Sequence, residues 1–133
     1  MTTTEPARKP SKAAFWIGSA LTALPAALLL FSGVTKLTRS QQVIDGFAHL
    51  GWPDRLAVPL GIVEIASTLL ALIPRTAVLG AVLLTGYMGG AIATHARLGE
   101  PFLVQALLGV VIWLGLYLRD PRVRALLPLR ARA

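Results

Sequence analysis

Few side chains in this sequence can do chemistry, and they are spaced far apart. Glu64 stands inside an otherwise apolar stretch, 56–73, long enough to cross a bilayer. A carboxylate at the centre of such a helix costs about 2.5–3.5 kcal/mol on insertion scales. It must face a bundle interior, find a partner or hold a proton. Among the other polar groups within apolar runs, Lys36, Tyr87, Thr94, His95 and Gln105 are the candidates for a site. Glu64, His95 and Tyr87 are the groups able to donate or take a proton, and they are the candidate catalytic residues. Lys36, Thr94 and Gln105 can bind a polar part of a ligand.

Each residue also has a plainer role. Glu64 can be a protonated carboxyl bonded to Tyr87 or to a helix carbonyl. Tyr87 can pack on a glycine-rich helix face. His95 can sit at the interface as a helix C-terminal charge. Lys36 can snorkel to the headgroups, and by depth alone this is the simpler reading. Gln105 can act as interhelical glue, and the glycines as packing residues. His49 falls on the polar face of an amphipathic segment, where water solvates it.

The elements that position these groups follow from hydropathy. A polar, basic stretch, 1–13, reads as a disordered cytoplasmic tail. Apolar runs at about 15–37, 55–73, 76–95 and 102–118 each suit a membrane span. The first is too long for a signal h-region and carries Pro25 near its centre, where a kink is expected. Between the first two runs, Val43, Ile44, Phe47, Ala48 and Leu50 recur at helical spacing, opposed by Gln41, Gln42, Asp45 and His49. That predicts a short amphipathic helix in the interface, capped by Ser40 or Thr38 and ended by Gly51. Asp54 reads as the N-cap of the second span. In the third, Gly86 and Gly90 form a GxxxG pair that permits close helix approach. Trp113 and Tyr117 suit an interfacial belt. The stretch 119–133 is a second basic tail.

The expected architecture is all-α: an antiparallel bundle of four transmembrane helices with one short amphipathic helix between the first two. Nine basic residues then lie on the side of the termini and four on the other, which predicts both termini in the cytoplasm of a bacterial-type plasma membrane. At about 1.5 Å per residue, Glu64 and Tyr87 fall at one depth and Gln105 some 7 Å nearer the outside. Lys36, Thr94 and His95 lie at the outer ends. The groups therefore cluster in the outer half, as a pocket opening outward would require.

Composition removes several function classes. Of 133 residues, 55% are hydrophobic and only 14% charged, against about 25% in soluble domains. The net charge of +7 is gathered at helix ends, matching anionic lipid rather than nucleic acid. There is no cysteine, so thiol–disulfide chemistry, iron–sulfur clusters and thiolate metal sites are excluded. Two histidines do not make a protein-only metal centre. Haem held by His49 and His95 is a weak reading, because axial ligation needs fixed geometry and His49 lies on a peripheral segment.

Several segments carry a family resemblance. Ser32-Gly33-Val34-Thr35-Lys36-Leu37, Gly51-Trp52-Pro53, Gly61-Ile62-Val63-Glu64-Ile65 and the run from Gly86 through Thr94-His95 resemble the DoxX-like family of small four-helix membrane proteins, from about residue 15 to 118. The resemblance implies a four-helix bundle with Lys36, Glu64 and His95 at characteristic polar positions. It also implies association with quinone-linked oxidoreductases. A chain without cysteine or a nucleotide motif would then bind quinone and leave electron delivery to a membrane redox partner.

Three functions are therefore expected to compete. One is a quinone-binding or redox-associated subunit. Another is a cofactor-free enzyme, of isomerase or cyclase type, doing acid–base chemistry on a lipophilic small molecule. The third is a non-enzymatic transporter or scaffold, with a homo-oligomer formed through the glycine face. The sequence alone does not decide whether the protein is an enzyme.

Overall fold

A computed structural model describes residues 9–126. These residues are helices and short turns, with no strand among them. Helix α1 spans Lys12–Thr38, α2 Gln41–His49, α3 Ala57–Leu72, α4 Ala77–Arg97, α5 Leu103–Arg119 and α6 Pro121–Leu126; a 3-10 turn, Asp54–Leu56, leads into α3. The helix α1, the 3-10 turn with α3, and α4 are each long and apolar enough to cross a membrane, whereas α5 is apolar but has 17 residues. These helices make the chain an integral membrane protein.

Local sequence explains the boundaries. Ser11 caps α1 by accepting from the Ala14 amide at 3.1 Å, so the helix starts earlier than hydropathy alone predicts. It continues through a buried Pro25 to Arg39, which ends it in the left-handed conformation. Ser40 caps α2, and Gly51, at φ +75°, lets the chain turn beyond it. The expectation that Asp54 caps the second span fails: its carboxylate accepts from Arg39 at 2.6 Å instead. That ion pair joins the two ends of the α2 segment. Residues 1–8 and 127–133, most of the first expected tail and the end of the second, lie outside the described residues, and the end of α5 and α6 take up the start of the second.

Packing is organised around α1 and α4. Helix α1 packs on α3 and α5, and α4 packs on the same two. The surface is the reverse of a soluble protein's. Trp16, Leu24, Phe31, Leu103 and Val104 are exposed, while Thr22, Ser67, Thr68 and Glu64 are buried. Lipid tails are as apolar as leucine, so helices gain little by hiding leucine and associate by close contact and hydrogen bonds. Thr22 and Thr68 satisfy their hydroxyls on the carbonyls of Gly18 and Glu64, one turn back.

Glycines set the close contacts, but not the pair expected. A Cβ on Gly80 would lie 2.1 Å from the Ala71 backbone nitrogen, and one on Gly61 would lie 2.8 Å from the Gly33 carbonyl oxygen. Gly18 and Gly115 meet in the same way. By contrast, Gly86, Gly89 and Gly90 have nothing within 4 Å of a built Cβ. The GxxxG pair is therefore not a contact between helices of this chain. Its missing side chains leave space.

Candidate functional site

The Gly33–Gly61 contact brings α1 and α3 together beside Lys36 and Glu64. Lys36 Nζ donates to Glu64 Oε2 at 2.7 Å and to Ser32 Oγ at 2.7 Å. Glu64 is 2% exposed. Lys36 does not snorkel, and the reason is geometric. Side chains on a helix lean towards its N-terminus. Lys36 lies near the C-terminal end of α1, so it leans back along the helix, away from that end. Glu64 lies in the N-terminal half of α3 and leans towards that same end of the bundle. The two side chains approach each other, and the lysine stem closes the difference in depth.

Tyr87 completes the cluster. Its hydroxyl donates to Glu64 Oε2 at 3.1 Å, as the common depth of the two residues anticipates. Glu64 Oε2 thus accepts from two donors, while Oε1 has no hydrogen bond among the described residues. Burying two charges is costly, and mutual attraction plus the bonds from Ser32 and Tyr87 offsets that cost.

This cluster opens into a cavity of about 750 Å³. Lys36, Glu64, Tyr87, Thr94, His95 and Gln105 all line it. The rest of the wall is apolar, with Leu29, Leu60, Met88 and Leu108 contributing. Gly86 and Gly90 also line it, and their lack of a Cβ widens it. Phe47, Leu50 and Trp52, from α2 and the turn after it, cover one end. Thr94 turns its hydroxyl to its own helix, donating to the Gly90 carbonyl at 2.8 Å.

At the α2 end, His95 Nδ1 lies 3.0 Å from Glu100 Oε2, and His49 Nε2 bonds the other oxygen, Oε1. One carboxylate therefore clasps α2 to the α4–α5 turn. Both imidazoles are engaged by Glu100 rather than facing each other across a space for haem. His49 is exposed, as expected, but not solvated alone. No cluster of three or more candidate metal ligands is found among the described residues.

Glu100 and Ser32 are the two residues that sequence reasoning missed. Glu100 reads as part of a Gly-Glu-Pro turn. Its signal is that it is the acidic residue nearest two histidines placed at the same end by topology. Ser32 precedes Lys36 by four residues, one helical turn, and so shares its face.

Hydrogen bonds from His49 first, and then His95, hold the Glu100 carboxyl below its ordinary 4.5. A depressed carboxyl contributes stability above its unfolded value and loses it as pH falls through the folded one. The clasp should accordingly hold above about pH 4.5 and release below. Trp52 fluorescence, followed in a Trp16→Phe/Trp113→Phe background, should report that release, and Glu100→Gln should remove the transition. A pH-independent signal in both proteins would refute the clasp.

The model of the DoxX-like family matches residues 20–118. No curated protein and no solved structure matches the chain.

Proposed function

The chain belongs to the DoxX-like family, and from that premise we propose that it is a membrane subunit binding a lipophilic, oxygen-bearing molecule of the quinone class. The observation that carries the reading is the buried Lys36–Glu64–Tyr87 cluster opening into a large apolar cavity. An apolar pocket with a few convergent polar groups is the usual form of a small-molecule site. Lys36 donates to a ligand carbonyl, and Glu64 Oε1 accepts from a ligand hydroxyl. Electrons for reducing a bound quinone would come from a separate redox protein in the membrane, because the chain has no thiol of its own.

The reading includes an antiparallel bundle of four spans. At about 1.5 Å per residue, α5 and its flanking turns approach the ~30 Å hydrocarbon core. Facing pairs support the direction of each helix: Gly18 meets Arg119 while Thr22 meets Gly115, and Gly80 meets Ala71 while Tyr87 meets Glu64. The basic residues of α6 and the N-terminal segment favour the cytoplasmic side for both termini.

Purified protein in lipid nanodiscs should bind decyl-substituted benzoquinone or naphthoquinone, with a rise in melting temperature that saturates. Gly86→Leu should abolish that rise by filling the cavity. A wild-type protein indifferent to every quinone offered would end the proposal.

One observation favours a second reading. Glu64 Oε1 has no hydrogen bond among the described residues while Oε2 of the same carboxylate accepts from the Tyr87 hydroxyl, an arrangement that suits acid–base catalysis on a lipophilic substrate. In that case Glu64→Gln should remove turnover and keep the fold.

A further inference from the structure

Gln105 brings to the cavity wall a buried oxygen that no described residue serves. It stands in the first turn of α5 and makes no hydrogen bond among the described residues. Its Oε1 is buried with no partner. Of the neighbouring polar groups, Lys36 and Tyr87 bond Glu64 Oε2, His95 bonds Glu100 and Thr94 bonds its own backbone, so that Glu64 Oε1 is the other oxygen without a hydrogen bond among these described residues. A buried amide oxygen without a partner is costly, and native proteins hold few such atoms.

Its position is also specific. Gln105 and Met88 line both the main cavity and a second, apolar groove of about 480 Å³ between α4 and α5. The amide therefore stands at the junction of the two spaces. The Lys36–Glu64–Tyr87 cluster lies deeper, by roughly 7 Å along the helices at 1.5 Å per residue. Besides Thr94 and His95, which are bonded elsewhere, the cavity thus has two polar points, the buried cluster and the Gln105 amide.

We infer that Gln105 is a specificity-determining residue and that the occupant has two oxygen-bearing groups, one for the buried cluster and one for the Gln105 amide. This rests on the reading of the cavity as a site for a lipophilic, oxygen-bearing molecule. The terminal torsion of glutamine is soft, so the amide can turn its oxygen or its nitrogen towards the cavity. It then accepts from a hydroxyl or donates to a carbonyl, and both redox forms of a ring dione are held. A ligand with one oxygen satisfies the buried cluster and leaves Gln105 unpaired.

The test compares a decyl-substituted 1,4-benzoquinone with a decyl-substituted cyclohexenone, which has one carbonyl. Binding and melting temperature are measured for the wild type and for Gln105→Leu. The wild type should prefer the dione by roughly three- to tenfold, the worth of one neutral hydrogen bond. Gln105→Leu should lose that preference, keep its affinity for the enone, and melt at a higher temperature when empty. Rising stability with falling selectivity is not what an interhelical glue residue produces. An empty Gln105→Leu protein that melts lower, or a wild type that binds both compounds equally, overturns the inference and leaves the cavity reading intact. Failure of the wild type to bind either compound overturns both.

Discussion

Lys36→Met is expected to be among the most damaging single substitutions in the protein, costing about 3–5 kcal/mol, because it leaves Glu64 buried without its counter-charge. Glu64 is 2% exposed, against 18% for the lysine side chain, so the carboxylate is the one that water cannot rescue where it stands. The reciprocal change, Glu64→Leu, strands the ammonium less severely, since a lysine stem freed from its partner can swing towards the headgroups. The double variant should recover most of the loss, as replaced buried ion pairs often do. Thermal unfolding in one detergent, run as a double-mutant cycle, reads the coupling directly. Additive single effects would show that the pair does not form.

The second large effect separates the glycines. At Gly80 a Cβ would meet backbone atoms of Ala71 at 2.1 Å, and backbone cannot rotate aside. Gly80→Ala should therefore push α4 off α3, at a cost of about 1–3 kcal/mol or more. It should also separate Tyr87 from Glu64, since the same two helices hold both. Gly90→Ala faces open space and should be neutral, or stabilising by up to about 1 kcal/mol from helix propensity. Melting temperatures of the two variants check this pair of outcomes. Equal effects would mean that the close contact at Gly80 is not made.

Much of this architecture is legible in the sequence because lipid imposes simple rules. Apolar runs give the four long helices, three of them long and apolar enough to cross a membrane, and the alternation around Phe47 gives α2. The common depth of Glu64 and Tyr87 gives their hydrogen bond. What depth alone misses is direction. Lys36 reads as a snorkelling residue when only its distance from the helix end is counted, yet the N-terminal lean of helical side chains turns it the other way. Glycine spacing is similarly ambiguous. Gly86 and Gly90 have the familiar interval, but the contacts are made at Gly33, Gly61 and Gly80, which share no interval across helices. Which face of a helix meets a neighbour is a property of the assembled bundle. The Glu100 clasp depends on three turns and helix ends coming together, and turn chemistry alone does not point there.

The salt bridge lining the cavity also bears on what the cavity can hold. Lys36 and Glu64 cancel, so the chamber carries no net charge at its deepest polar point. An anion reaching Lys36 must displace Glu64 and leave that carboxylate stranded; a cation reaching Glu64 does the same to Lys36. Either exchange swaps one pairing for another and adds an orphaned ion in a low-dielectric wall. A neutral guest imposes no such exchange. The pair therefore acts as an electrostatic filter for the cavity, one that favours uncharged, oil-soluble guests over ions.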